Sequence, residues 1–308
     1  MALVDSELTK DIVRARIEGN RSDSAGAVFK AALVSCLVIV LVALVALIVS
    51  VAPAGLEVFS SRGIMDFLLR PFSVRPEKAG VFQGTVGTVT SAVIVALISF
   101  PMGVAAAVYL EEYASDNWFT RIVNLVIRNL AGVPAIVYGL LGFALFVKGP
   151  FSGLTGGTTL LSTGLTLSIL VLPIVVITSA EAIRAVPASL REGGYGVGAT
   201  RWEVTRTLVL PNAMGGMLTG TILGLARALG EAAPLFFMGA KTSVFSGGNW
   251  GELRGDFTAL PMIITDWATR PAAKWNGNTQ AAILVTLAVV LGINTVGIVL
   301  RNRFDRKK

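Results

Sequence analysis

Two opposite charges inside an apolar stretch are the residues of this chain whose types and spacing best suit chemistry. From Gly215 to Pro234 the sequence reads GGMLTGTILGLARALGEAAP, which places Arg227 and Glu231 four positions apart. On a helix, residues four apart can form an ion pair. A charge at the centre of a bilayer costs roughly 2.5 to 3.5 kcal/mol on insertion scales, so charges retained there usually mark a transport pathway.

The chemistry of this pair favours an anionic solute. A guanidinium presents a planar fork of donors that matches the geometry of an oxyanion, which predicts that Arg227 contacts an anion rather than a cation or a sugar. Glu231 can accept a hydrogen bond from protonated phosphate, whereas sulfate offers no such proton. Two other roles stay open: Glu231 neutralises Arg227 between substrates, or the pair only holds two helices together.

Three glycines accompany the charged pair. At about 100° per residue, Gly216, Gly220, Gly224, Arg227 and Glu231 fall within one narrow stripe of a helix. Small residues at that spacing let another helix backbone approach closely. The stripe therefore predicts a helix-packing face that turns both charges away from lipid, and the proline that follows predicts a kink.

Several kinds of active site are excluded by residue types alone. The chain has no histidine and a single cysteine, Cys36, which removes imidazole metal sites, Ser-His-Asp triads and cysteine-based zinc sites. The sequence also lacks G-x4-G-K-[ST], so we expect no nucleotide site of its own. We therefore predict a protein that is not an enzyme by itself and carries no metal or cofactor.

The elements that position these residues are membrane helices. Hydrophobic residues make up 54% of the 308 residues and charged residues only 15%, well below the quarter or so of a soluble domain. A span needs about 20 apolar residues, and six stretches qualify. The prediction is an all-α polytopic membrane protein with six transmembrane helices at 29–52, 84–110, 130–147, 159–182 (interrupted by Pro173), 212–240 and 279–300.

The basic residues predict the orientation. Residues 1–30, 111–129, 181–211 and 301–308 hold 16 of the 26 Lys and Arg, and the three intervening segments hold 9. Because Lys and Arg mark the cytoplasmic side, both termini are predicted to face the cytoplasm. The net charge of +7 is then a topology signal, and we expect no nucleic-acid partner, although the basic end can meet lipid headgroups. Interfacial anchoring is the role expected for Trp250, Trp267 and Trp275.

The domain prediction follows from these spans. It comprises a cytoplasmic N-terminal segment at 1–28, a transmembrane domain at 29–301 and a basic tail at 302–308. Inside the second of these, the cytoplasmic loop 183–211 is expected to form two short helices around a flexible glycine-rich turn. The first would start at an N-cap on Ser189 with Glu192 completing a capping box, and the second would run from Thr200 to just before Pro211.

This loop resembles a family motif. Permease subunits of bacterial ABC importers carry the motif E-A-A-x3-G-x9-I-x-L-P. This chain has glycine in place of both alanines and leucine in place of the isoleucine. The positions that match this spacing are Glu192, Gly193, Gly194, Gly198, Leu208, Leu210 and Pro211. The segments LAGVPAIVYGL from Leu130, RAVPASLRE from Arg184, YLEEY from Tyr109 and ARALGEAAPL from Ala226 are similar to PstA-type permease subunits of phosphate importers.

The resemblance implies a fold, a function and partners. The fold would be that of type I ABC importer permeases, and the function would be inward movement of inorganic phosphate across the bacterial cytoplasmic (inner) membrane. Partners would be a PstC-type permease in a heterodimer, an ATPase dimer that binds ATP and Mg, and an extracytoplasmic phosphate-binding protein. Arg184, Arg227 and Glu231 would be associated with transport, and the loop with its exposed Arg201 would dock on the ATPase.

Three alternatives remain beside this interpretation. The chain could serve another oxyanion, it could be an ion-coupled secondary carrier that uses the Arg227–Glu231 pair, or it could be a membrane scaffold or sensor. A secondary carrier is expected to show inverted repeats and discontinuous helices, and neither is clear in the sequence.

Overall fold

The described part of the protein is helical. The computed structural model describes residues 24–240, 249–271 and 274–305, so the N-terminal segment up to residue 23 and the end of the basic tail lie outside the described residues. The helices are α1 Ser24–Arg62, α2 Ile64–Leu69, α3 Phe82–Val108, α4 Trp118–Ala131, α5 Ala135–Gly142, α6 Ser152–Thr155, α7 Leu160–Arg184, α8 Ala188–Gly196, α9 Arg201–Val204, α10 Leu210–Gly230, α11 Ala233–Phe237, α12 Leu260–Ala268 and α13 Lys274–Asp305.

Three of these helices continue into wider π turns. The turn Tyr109–Tyr113 follows α3, Phe143–Val147 follows α5, and Thr205–Val209 joins α9 to α10. Among the described residues, five helical segments are long and apolar enough to cross a membrane, or six if the bent pair α4–α5 counts as one span. The prediction of an all-helical polytopic protein is confirmed.

The chain divides into two compact units. The first unit ends at Ser50 and contains the N-terminal part of α1, whose large apolar side chains are exposed along its length. The second unit runs from Val51 and contains the rest of the structure, including every site discussed below. A helix that is apolar all round and unburied suits a lipid environment better than water.

The core of the second unit is formed by α3, α7 and α10. Helix α7 starts at a capping box, in which Thr159 Oγ1 accepts from the backbone N–H of Ser162. The helix then stays continuous through Pro173, so the predicted interruption is wrong. Pro173 lies buried inside this helix, which continues past the hydrogen bond that a proline cannot donate.

The third predicted span is broken. Helices α4 and α5 meet at a bend of 105°, so Leu130 and Ala131, predicted to start the span, belong to α4 instead. The cause is local: Pro134 disfavours helical geometry at Val133, and α5 begins directly after this proline. Helix α4 starts at Asn117, whose side chain accepts from the Thr120 N–H at 2.9 Å.

Two of the three tryptophans expected at an interface are core residues. Trp267 is 1% exposed and Trp275 is 4% exposed, with ring centroids 5.4 Å apart. Phe67 and Phe72 complete this aromatic cluster, each 6.2 Å from Trp267 between ring centroids. Interfacial anchoring is therefore wrong for these two, because α2, α12 and α13 converge there and bury the rings; Trp250 stays 61% exposed.

The fifth span differs from its prediction at both ends. The helical path is unbroken from Arg201 to Gly230, so the second loop helix does not end before Pro211. Pro211 sits in the first turn of α10, directly after the π turn Thr205–Val209. At the other end, Glu231 is extended (φ −85°, ψ 114°), so the helix ends at Gly230, within the charged pair, rather than kinking just beyond it at Pro234.

Candidate functional site

Arg227 and Glu231 meet where α10 ends. Arg227 lies in the last turn of the helix and Glu231 is the first residue outside it. The Arg227 Nε atom is 3.7 Å from Glu231 Oε1, with side chains 43% and 29% exposed. The expected pairing is present, although Glu231 reaches Arg227 from an extended segment and not from the same helix. A cation in the last turn is favoured by the helix dipole.

Most donors of Arg227 are available to a ligand. Within the described residues, no protein acceptor lies within hydrogen-bonding distance of its guanidinium, and the 3.7 Å contact with Glu231 exceeds that distance. The neighbouring hydroxyl of Tyr138 is engaged, since it donates to the Leu130 carbonyl at 2.9 Å. The guanidinium fork is therefore half exposed, paired through charge alone and free to bind an oxyanion.

The depth of Arg227 follows from the packing of α10 on α7. Gly224 faces Val171, which is next to the central residue of the 25-residue helix α7. Arg227 comes three residues later, about 4.5 Å further along the axis. Leu223, one turn before Arg227, is 62% exposed. The guanidinium thus lies near the middle of the bundle's depth, on an open face of this subunit.

The three glycines lie against α7. A Cβ atom added at Gly216 would be 2.6 Å from the Ala182 side chain, and one added at Gly224 would be 2.7 Å from Val171. A Cβ at Gly220 would overlap the Thr178 side chain. The two backbones therefore approach more closely than any side chain on this stripe would allow, and Arg227 lies at the stripe's exposed edge.

The loop 183–211 forms the second candidate surface. Helix α8 begins at Ala188 after Pro187 with no side-chain cap, so the predicted capping box at Ser189 is wrong. A capping box instead opens α9, where Thr200 Oγ1 accepts from the Glu203 N–H and Glu203 accepts from the Thr200 N–H. Because Pro187 is the N-cap residue and α8 begins at Ala188, Ser189 lies inside the helix and not at its cap.

The glycines of this loop do not form one flexible turn. Gly193 and Gly194 are helical in α8, and a Cβ at Gly194 would press within 3 Å of Val204 and Leu208. The turn itself is at Gly198, whose φ of +83° favours glycine. The remaining motif residues Leu210 and Pro211 open α10, while Glu192 and Arg201 are exposed.

Three large side chains of the loop, mostly apolar in surface, are exposed. Val197 is 85% exposed, Trp202 55% and Tyr195 44%. Apolar residues concentrated on a short surface segment are typical of a protein interface. This surface belongs to the same segment as the motif described above.

A group of contacts at the C-terminal end of α3 was missed by sequence reasoning. Arg184 donates to both carboxylate oxygens of Glu111, from Nε at 2.7 Å and Nη2 at 2.5 Å. Arg191 donates to Glu112 Oε1 at 2.9 and 3.1 Å. The available signal was two adjacent acidic residues at the end of a span, followed later by arginines at the start of the loop and within α8. For Arg184, a role in transport stays a prediction.

Comparisons with known proteins agree with this architecture. The family described as "binding-protein-dependent transport system inner membrane component" matches residues 99–308. The phosphate transport system permease protein PstA of Mycobacterium leprae is 34% identical over 231 residues, covering 74% of this chain and 73% of that one. PstA 1 of Mycobacterium tuberculosis is 32% identical over 274 residues, covering 88% and 86%.

Solved importers share the fold at lower identity. A bacterial alginate ABC transporter, solved with a periplasmic protein bound to an alginate pentasaccharide, has a chain that aligns with a TM-score of 0.61 at 16% identity, covering 95% of this chain and 97% of that one. An inward-facing MetNI methionine ABC transporter aligns at 0.55 with 19% identity, covering 73% and 94%. The match over more than half of the chain, with relatives above 30% identity, is decisive. The chain belongs to the family of binding-protein-dependent transport system inner membrane components.

Proposed function

We propose that this chain is a permease subunit of an ATP-driven importer that moves inorganic phosphate inward across the cytoplasmic membrane of a bacterium. The observation that carries the proposal is the half-exposed side chain of Arg227 near mid-depth, whose donor fork meets no acceptor within hydrogen-bonding distance among the residues that the structure describes. The relatives named PstA support phosphate as the anion. Family membership favours ATP-driven transport over an ion-coupled carrier and over a scaffold.

The position of Arg227 supports a pathway between two permeases. Arg227 and Leu223 lie on an open face of α10, and a guanidinium exposed to lipid at this depth would cost roughly 2.5 to 3.5 kcal/mol. A second permease of PstC type facing α10 would remove the charge from lipid and enclose a polar passage. Phosphate arriving from an extracytoplasmic binding protein would then meet the guanidinium between the two subunits.

The ATPase would act through the cytoplasmic loop. Its exposed apolar residues, the turn at Gly198 and the exposed Glu192 and Arg201 form a surface that fits a groove on an ATPase dimer. ATP and Mg would be bound by that partner. In this arrangement both chain termini and residues 183–211 face the cytoplasm, in keeping with the distribution of basic residues.

Glu231 would help to select phosphate. At neutral pH inorganic phosphate is HPO4²⁻ or H2PO4⁻ and so carries at least one proton, from which a carboxylate can accept a hydrogen bond, whereas sulfate carries no proton and would meet only repulsion. Glu231 lies 3.7 Å from the cation that would hold the anion. Arg184 would serve the inner exit of the pathway, where its pairing with Glu111 leaves it 49% exposed.

The test is reconstitution of uptake. The chain is expressed with its partner permease, ATPase and binding protein in proteoliposomes, and uptake of radiolabelled phosphate is measured with ATP inside and a protonophore present. We expect uptake that needs ATP and survives the protonophore, with sulfate a poor competitor. Uptake that collapses with the proton gradient, or that prefers another oxyanion, would contradict the proposal.

A separate substitution tests the role of Glu231. In Glu231→Gln we expect phosphate uptake to persist at a reduced rate and sulfate to compete more strongly, because the amide no longer repels the divalent anion. Asp116→Asn, which removes an exposed carboxylate outside the spans, serves as the control. Unchanged uptake together with unchanged sulfate competition would refute the selectivity role.

A further inference from the structure

We propose that Glu112 is a positioning residue that fastens the cytoplasmic loop to α3, so that a displacement of the loop by the ATPase moves this span. The inference rests on the proposed function, since it takes residues 183–211 as the segment that docks on the ATPase. It concerns a contact of α3 that neither the loop motif nor the Arg227 site includes.

The central contact is a buried ion pair. Glu112 is 5% exposed and its Oε1 accepts from Arg191 Nη2 at 2.9 Å and from Nε at 3.1 Å. The side chain of Arg191 is 21% exposed. Two charges removed from water are held in place by their mutual attraction, and loss of one partner leaves the other uncompensated. The pair joins the π turn after α3 to the middle of α8.

Arg191 is also tied to the end of α7. Its Nη1 donates to the Val186 carbonyl at 2.7 Å and its Nη2 donates to the Ile183 carbonyl at 2.9 Å. These carbonyls lie at the C-terminal end of α7, where backbone acceptors lack helical partners and where a cation is favoured. One guanidinium therefore connects three elements, namely α3, α7 and α8.

The residues on either side of Glu112 make parallel contacts. Glu111 accepts both hydrogen bonds of the Arg184 fork at the end of α7. The ring of Tyr113 lies under the guanidinium of Arg201, at 5.3 Å from Cζ to the centroid. Three consecutive residues thus contact three arginines, one before α8, one within it and one after it.

All three contacts start from the π turn Tyr109–Tyr113 at the end of α3. Such turns are frequent at functional sites. Helix α3 continues without interruption from this turn back to Phe82 and packs on α7. A shift imposed on α8 is consequently passed to α3 through short, directed contacts rather than through the flexible chain.

The test measures coupling rather than rate alone. The full complex with Glu112→Gln is reconstituted, and both ATP hydrolysis and phosphate uptake are measured per assembled complex. Glutamine keeps the size of the side chain but loses the charge that fixes Arg191. We expect assembly and binding-protein-stimulated ATP hydrolysis to persist, while phosphate transported per ATP hydrolysed falls at least fivefold.

Two further variants sharpen the outcome. Asp116→Asn breaks an ion pair nearby whose side chains are 79% and 72% exposed, and it should leave the ratio unchanged. Glu112→Asp keeps the charge and should recover much of the ratio. The inference is overturned if Glu112→Gln transports as much phosphate per ATP as the wild type. It is equally overturned if hydrolysis and uptake fall in proportion, or if complex fails to form with both Glu112→Gln and Glu112→Asp, because Glu112 would then be merely structural.

Failure of the inference is distinguishable from failure of the proposed function. If the wild-type complex takes up phosphate with ATP and the variant stays fully coupled, only the role of Glu112 is lost. If the wild-type chain neither binds the ATPase nor transports phosphate, the proposed function itself is wrong and the coupling ratio has no meaning.

Discussion

The close contact of α10 with α7 makes Gly220 the most sensitive position of the packing stripe. A Cβ atom at this position would overlap the Thr178 side chain, whose hydroxyl donates to the Ile174 carbonyl at 2.8 Å. In Gly220→Ala, either the helices separate or Thr178 rotates away. Overpacking typically costs about 1 to 3 kcal/mol, and a lost hydrogen bond adds about 1 kcal/mol. We expect a loss of roughly 2 to 4 kcal/mol in the free energy of unfolding.

The assay is reversible unfolding of the purified chain in mixed detergent micelles, with helicity followed by circular dichroism. Gly292→Ala on α13 is the matched control, because a Cβ there meets no atom within 4 Å. The double variant Gly220→Ala, Thr178→Gly should recover most of the stability, since the obstructing side chain is removed. If Gly220→Ala unfolds with the same free energy as Gly292→Ala, the close approach of α10 to α7 is refuted.

Two other predictions concern local stability. Trp267→Ala should lower the free energy of unfolding by about 3 to 5 kcal/mol, because it empties the centre of the aromatic cluster. Trp250→Ala, at a site 61% exposed, should change that free energy by less than about 0.5 kcal/mol. Equal effects of the two variants in the unfolding assay would contradict the burial of Trp267. Thr200→Ala removes the capping box of α9, so it should lower the free energy of unfolding by about 1 kcal/mol and raise the rate of amide hydrogen exchange at residues 201–204. An unchanged exchange rate at these residues would refute the capping role.

Hydropathy identified the membrane helices because the required length of apolar sequence is set by the bilayer. The breaks were harder to place. The end of α10 at Glu231 depends on how short helices pack around it, as Gly139 does against Pro234, whereas the bend between α4 and α5 follows locally from Pro134. Pro173 shows the converse, since a proline expected to interrupt α7 lies buried inside a continuous helix.

The candidate site was predicted in part. The spacing of Arg227 and Glu231 predicted the ion pair from helix geometry, and the pair forms although Glu231 itself is extended and lies just outside the helix. The loop motif gave the right residues but the wrong local structure, since capping depends on where Pro187 forces α8 to begin. The contacts of Glu112 could not be predicted from spacing, because Arg191 is 79 residues away and meets it only in the folded bundle.

The central claim, that the Arg227 guanidinium binds the transported phosphate, is tested most directly by Arg227→Lys. Lysine keeps the charge but lacks the fork of donors, so one hydrogen bond to the anion is lost. A hydrogen bond to a charged group contributes about 1.5 to 3 kcal/mol, and because the Arg227 side chain is half exposed we expect a value near the lower limit. At about 1.4 kcal/mol per factor of ten, uptake of radiolabelled phosphate at low concentration should fall at least tenfold. Arg121→Lys, at an exposed pair, should transport normally. Full phosphate uptake by a normally assembled Arg227→Lys complex would contradict the account.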